Sequence, residues 1–146
     1  LLIFSFGFGQ TAKEYYLTGI EKINGNDYYR AISNFSKAIK IWESEALKKE
    51  KEVNQILDGW DYESYTFCYF WNGELKQKIN DHKGAITDLD RYIQLLNYDN
   101  DERAYLLRGI SKENLGDLTG ACADWKKATA LGLDEKAFKW VAKKCN

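Results

Sequence analysis

The sequence predicts an all-α fold, a solenoid of three helix-turn-helix repeats closed by a C-terminal capping helix. The first observation behind this is an internal repeat. Gly19, Gly73 and Gly109 each have a tyrosine four residues before (Tyr15, Tyr69, Tyr105) and a lysine three after (Lys22, Lys76, Lys112). Downstream of each glycine come an aspartate at +8 (Asp27, Asp81, Asp117) and an alanine at +12 (Ala31, Ala85, Ala121). A large apolar residue follows at +16 (Phe35, Leu89, Trp125), and Ala38, Tyr92 and Ala128 stand at +19. A fixed period of this kind marks stacked units that bury a shared core. The second observation is helical periodicity. In the third copy Leu118, Ala121, Cys122, Trp125, Ala128 and Thr129 recur at spacings of three and four, an apolar stripe of helical period. The third is composition: 146 residues, 45% hydrophobic, 29% charged, 15% aromatic and no proline, the profile of one compact domain. That profile excludes a disordered or collagen-like chain.

Taken in order, the chain begins with Leu1-Leu2-Ile3-Phe4-Ser5-Phe6-Gly7-Phe8-Gly9, an apolar run ending in small residues before Gln10-Thr11. That is how the apolar region and cleavage site of a signal peptide end. With no methionine in the chain, residues 1–10 are expected to be the remnant of an export signal. The run is about half of the ~20 apolar residues that span a bilayer, so no stable membrane insertion is expected. The expected location is the periplasm or exterior of a bacterial envelope, with 11–146 as a single domain.

Repeat one is expected over about 12–45, repeat two over 66–99 and repeat three over 102–133. Each turn joins a residue that tolerates the left-handed conformation (Asn26, Asn80, Gly116) to an aspartate suited to cap the next helix (Asp27, Asp81, Asp117). Gly109 and Ala121 carry little or no side chain and let the two helices of a pair approach, with Trp125 filling the space beside them.

The interval between the second and third glycines is 36 residues, but that between the first and second is 54. The extra segment, about 43–62, is rich in strong helix formers and has pairs such as Glu45 with Lys49. It predicts a second helix lengthened to Leu57 and stopped at Asp58-Gly59. Residues 60–65 would then extend the following helix backward, giving a hairpin that projects beyond the normal repeat. Such an element is either a solvated charged helix or a docking element for another protein.

The tail, 134–145, has an acidic start and a basic end, the order a helix dipole prefers. Phe138, Trp140 and either Val141 or Ala142 can cover the last apolar face. With the turn centred near Leu133, Cys122 and Cys145 stand at nearly the same height on antiparallel helices. A disulfide between them is feasible, two buried thiols being the alternative, and Cys68 is left as a lone core thiol.

The block Arg108-Gly109-Ile110-Ser111-Lys112 with Leu115-Gly116-Asp117 and Gly120-Ala121 resembles the tetratricopeptide repeat family. The resemblance runs from about Thr11 to Gly132. Asn26 and Asn80 replace the turn glycine, Tyr92 replaces the second alanine, and the closing proline is missing. The resemblance implies an α-solenoid whose first helices line a concave groove. Lys13, Tyr16, Ile20 and Asn24 occupy the groove offsets in repeat one, and Phe67, Phe70, Glu74 and Lys78 in repeat two. Repeat three supplies Arg103, Leu106, Ile110, Glu113 and Asn114. Cochaperone members of the family clamp a terminal carboxylate with Lys, Asn and Arg. The matching positions here are Tyr16, Ile20, Trp71, Arg103 and Leu107, of which only Arg103 agrees, so binding of chaperone tails is disfavoured.

No catalytic residue, metal site or cofactor is expected. Gly7-Phe8-Gly9-Gln10-Thr11-Ala12 matches the dinucleotide fingerprint, but the βαβ unit that gives it meaning is absent from the pattern. There is no CxxC, and the single histidine, His82, stands in a turn beside Asp81. Lys+Arg 21 against Asp+Glu 22 gives no reason to expect nucleic acid. The expected function is therefore a non-enzymatic scaffold that binds a protein or peptide partner in the groove. Two other readings are a small-ligand or glycan module using Tyr16, Phe67 and Phe70 as stacking platforms, and a homo-oligomer joined through the projecting hairpin.

Overall fold

The computed structural model describes residues 10–96, 101–133 and 143–145. Residues 1–9 of the expected signal remnant (1–10) and most of the expected cap, 134–142, lie outside the described residues. Among those described, seven helices follow one another: α1 (Ala12–Asn24), α2 (Tyr28–Lys48), α3 (Val53–Ile56), α4 (Gly59–Lys78), α5 (His82–Leu95), α6 (Glu102–Asn114) and α7 (Leu118–Ala130). They pair as α1 with α2, α4 with α5 and α6 with α7, which makes the chain a tetratricopeptide-type helical solenoid.

Local chemistry sets each boundary. Thr11 opens α1 with a capping box: its hydroxyl accepts from the Glu14 N–H at 3.2 Å, and the Glu14 carboxylate accepts from the Thr11 N–H at 2.7 Å. The turns between paired helices are copies of one another. Asn26, Asn80 and Gly116 take φ of 57°, 64° and 86°. The aspartate that follows then accepts from the N–H of Arg30, Gly84 or Gly120. The N–H of the same aspartate donates to the carbonyl of Lys22, Lys76 or Lys112 at 2.8–2.9 Å.

Packing within each pair is set by the +16 side chain. Phe35, Leu89 and Trp125 are fully buried, and each lies where a Cβ on the repeat glycine would stand. A Cβ on Gly19 would come within 2.5 Å of Phe35 Cε1, and one on Gly73 within 2.6 Å of Leu89 Cγ. Ala31, Ala85 and Ala121 are also fully buried. The result is three linked apolar clusters, the first being the largest because Trp42, Tyr65 and Cys68 join it. Tyr92, at the position of an alanine elsewhere, puts its ring against Phe70 at 5.2 Å and donates its hydroxyl to Asp101 at 2.7 Å. Asp101 in turn caps α6, so this replacement ties repeat two to repeat three.

The hairpin between the first two repeats is long, with 21 residues in α2 and 20 in α4 against 13 or 14 in α1, α5, α6 and α7. The expectation of one unbroken helix to Leu57 is corrected. The chain leaves the helix at Lys49, Glu50 takes φ of 53°, and the Lys51 N–H returns to the Ala46 carbonyl at 3.0 Å. No breaker residue forces this. Beyond the buried Ala46 the run from Lys48 to Glu52 is exposed and offers nothing to bury, and helices in proteins are held mainly by a packed apolar face. Turning back lets Val53 and Leu57 pack on the first cluster. Asp58-Gly59 then starts α4 instead of ending the helix before it.

At the C-terminal end Cys122 and Cys145 are joined by a disulfide, with Cα atoms 5.5 Å apart. Lys144 pairs with Glu113, and Cys145 packs on the cluster formed by Ala121, Trp125, Leu106 and Ile110.

Candidate partner-binding face

The first helices of the repeats form one layer, with α4 touching both α1 and α6, whereas the second helices α2, α5 and α7 do not pack on one another to the same degree. The first helices therefore lie on the inner side of the stack. In repeat one Lys13 is exposed and its Nζ sits 4.2 Å from the centre of the Trp60 ring. Tyr16 is half-buried between Trp60, edge-on at 5.6 Å, and Phe35 at 5.9 Å. Burial, with a smaller push from Cys68, raises the Tyr16 pKa against an opposing contribution from Trp71. Ile20 packs on the first cluster, while Asn24 ends α1 in solvent.

In repeat two the expectation for Phe70 is corrected, because it is only 2% exposed. Tyr92 and Trp71 close on its ring, and the Arg103 guanidinium covers it at 5.0 Å. Phe67 stays on the surface at 38% exposure. Glu74 is held by Lys78 and Arg103, both at 3.2 Å, and Lys78 also lies over the Tyr28 ring. In repeat three Leu106 and Ile110 serve the core beneath Cys145 and Leu133. Glu113 is taken by Lys144, and Asn114 donates to the Ile110 carbonyl at 2.9 Å. Of the expected groove set, Lys13, Asn24, Phe67, Lys78, Arg103 and Asn114 are exposed. The others mainly join one repeat to the next.

One exposed residue was missed. Trp60, 44% exposed, lies seven residues before Phe67 on α4, about 10.5 Å along the axis and on the same face. Carrying the groove offset two turns back along the extended helix would have found it. The inner face thus presents two aromatics in line, with Lys13 over the first and, next to the second, Phe70 covered by Arg103. Of the glycan-stacking trio, Phe67 alone is well exposed.

Another signal went unread, the partner of the repeat lysine. Lys76 reaches Asp88 at 2.7 Å and Lys112 reaches Asp124 at 2.8 Å, so the +3 lysine pairs with a +15 aspartate. In repeat one that position is Asn34 and Lys22 pairs with the exposed Glu21 instead. Asp124 also receives two bonds from Arg108, at 2.9 and 2.6 Å, while Arg108 reaches Asp90 at 2.7 Å. Burial opposes the Arg108 charge, but Asp124 and then Asp90 outweigh it and raise its pKa. This network clamps α6 to α7. Among the described residues no group of three or more His, Cys, Asp or Glu gathers to hold a metal, and no helix is long and apolar enough to cross a membrane.

No protein-family model and no curated protein matches the chain. Solved structures do match its fold. A MamA RS-1 ArsTM double mutant superposes with a TM-score of 0.71 at 21% identity, over 91% of this chain and 63% of that one. Another MamA structure gives 0.62 at 22% identity, over 88% and 61%. The chain therefore spans under two thirds of the length of these two. PcrH in complex with the chaperone binding region of PopB gives 0.61 at 17% identity, over 94% of each chain. At these identities the likeness is one of fold.

Proposed function

We propose that the chain is a non-enzymatic scaffold that binds a protein or peptide partner on the face formed by α1, α4 and α6. The observation that carries this is the exposed pair Trp60 and Phe67 on one face of α4, with Lys13 over the Trp60 ring and Arg103 over Phe70, the ring that Phe67 packs on. Aromatic anchors flanked by charge are what interface hot spots are made of. A spacing of about 10.5 Å suits two apolar residues seven apart on a partner helix, which share one face. The fold likeness to PcrH, whose structure holds a region of PopB, supports a polypeptide as the ligand. Export to a bacterial envelope remains part of the proposal, supported by the apolar run ending at Gly7 and Gly9 and by the disulfide, a bond that persists in oxidising compartments.

The test is capture from an envelope extract by the parent chain, followed by affinity measurement with Trp60→Ala/Phe67→Ala. Two anchors worth about 2 kcal/mol each predict a loss of affinity well beyond thirtyfold, with the circular dichroism spectrum unchanged. Unchanged affinity in the double variant would remove the inner face from the account.

A further inference from the structure

The turn at Glu50 has a second result. It places α3 so that a pocket of about 190 Å3 is lined by Glu52, Val53 and Asn54 on one side and by Arg91 and Leu95 of the last turn of α5 on the other. Arg91 and Leu95 are one helical turn apart on α5. Below the pocket Glu43 accepts hydrogen bonds from the hydroxyls of Tyr65 at 3.1 Å and Tyr69 at 2.7 Å. Tyr65 and then Tyr69 also act on the Arg91 guanidinium, and together they raise its pKa against burial. The Glu43 charge is thus engaged by the tyrosines, and among the described residues no carboxylate comes within 4.0 Å of Arg91. A guanidinium has five donors in a planar fork, more than two hydroxyls can occupy. The other three arginines, Arg30, Arg103 and Arg108, each have a carboxylate at 2.7–3.5 Å.

The lining is chemically divided into a cation, an anion, an amide and two aliphatic side chains. A volume of 190 Å3 is below the ~300 Å3 at which pockets begin to take whole drug-sized ligands, so the occupant is about the size of one amino acid. We propose that this pocket binds an α-carboxylate with an N–H on the same α-carbon, the carboxylate on Arg91, the N–H on Glu52 and an aliphatic side chain across Val53 and Leu95. Fork geometry favours a carboxylate over a single acceptor atom, and the Asn54 amide is a further donor at the rim. The same chemistry is offered by a free amino acid and by the C-terminal residue of a peptide. In its peptide form the inference rests on the scaffold reading and gives the partner a second contact, away from Trp60 and Phe67.

The experiment is a ¹H–¹⁵N titration of the full chain with L-leucine, N-acetyl-L-leucine and N-acetyl-L-leucinamide, each to about 10 mM, enough to reveal a millimolar Kd. The acids are expected to shift amides of 52–54 and 91–95 while the leucinamide does not. Binding of L-leucine alone assigns the site to a free amino acid, and binding of the acetylated acid at least as tightly assigns it to a peptide end. Arg91→Gln is expected to weaken binding at least tenfold and Arg91→Lys less, with unchanged thermal melts showing that the exposed position tolerates both. No shift at those residues, equal binding of the leucinamide, or full affinity in Arg91→Gln would each overturn the proposal. Because Trp60 and Phe67 are intact throughout, failure here is distinct from failure of the inner face.

Discussion

Gly109→Ala is the sharpest test of how the repeat glycine works. In an open helix the change would stabilise by up to ~1 kcal/mol, since glycine is a poor helix former. Here the added Cβ would fall 2.6 Å from Trp125 Cδ1 and 3.1 Å from Cε2. The indole cannot withdraw, being fully buried with Ala121 beside it and Leu106 and Ile110 around it. The helices cannot easily part either, because Arg108 and Asp124, the residues just before Gly109 and Trp125, are joined by two hydrogen bonds at the same level. Overpacking a rigid core costs ~1 to 3 kcal/mol, and rigidity on both sides puts this site near the upper end. Set against the propensity gain of ~1 kcal/mol, the net loss is about 2 kcal/mol. For a domain of this size that lowers Tm by about 6 °C. The assay is thermal denaturation of the oxidised parent, Gly109→Ala, Trp125→Phe and the double variant. The smaller ring should relieve the clash, so the double variant is expected to lose about 1 to 2 kcal/mol less than the sum of the singles. Gly25→Ala is the control, with 3.7 Å to the nearest atom a Cβ would meet, and should be neutral or slightly stabilising. A Tm for Gly109→Ala at or above the parent's, or strict additivity in the double variant, would refute the close-approach argument.

The two buried aspartates should behave differently. Asp124→Asn leaves Lys112 facing a neutral group and Arg108 with Asp90 as its remaining carboxylate, and is expected to cost about 3 kcal/mol by denaturant titration. Among the described residues Asp88 has Lys76 alone as an ion-pair partner, and its pKa is raised above 3.8 because burial outweighs the lysine. The folded state therefore holds the Asp88 proton more tightly than the unfolded chain does. The parent should lose stability relative to Asp88→Asn as pH rises from 3.8 through the raised value, and an opposite slope in paired melts would contradict the burial argument. Cys68 is fully buried and burial pushes its thiol far up, so a thiol reagent at pH 8 should find no reactive group in the native chain and one after unfolding. Reducing the Cys122–Cys145 bond, which spans 23 residues, should cost about 3 kcal/mol by the chain-entropy relation, read as a fall in Tm under reductant.

The parts of this fold legible in the sequence were those decided by neighbours in the chain or by identity at a fixed offset. Asn26, Asn80 and Gly116 announce left-handed turns because few residues tolerate that conformation. The pairing of Gly19 with Phe35 and of Gly109 with Trp125 could be read because a missing side chain and a large one recur at the same separation. Glu50 gave no such notice. It is a good helix former in the left-handed region, and its conformation follows from where Val53 and Leu57 can be buried, which is a property of the folded core. Phe70 was misjudged for the same kind of reason, since its exposure depends on Tyr92 and Arg103, residues that reach it from two other helices.

The departures from the repeat have a common consequence for function. A regular solenoid would have ended α2 near Ile41 and begun α4 near Thr66, without Trp60 on the inner face and without α3 against α5. The eighteen added residues supply both. The fixed offsets hold the helices at set distances, through Gly–Trp contacts and Lys–Asp pairs that face inward and have little left to offer a ligand. What is left to offer lies on the insert or where it meets the frame: an exposed tryptophan under Lys13 on one side, and on the other the pocket lined by Glu52, Asn54 and Arg91. Deleting residues 49–57 should therefore disturb both surfaces while leaving the α6–α7 clamp of Arg108, Lys112 and Asp124 intact, a separation that hydrogen exchange across the two halves can read.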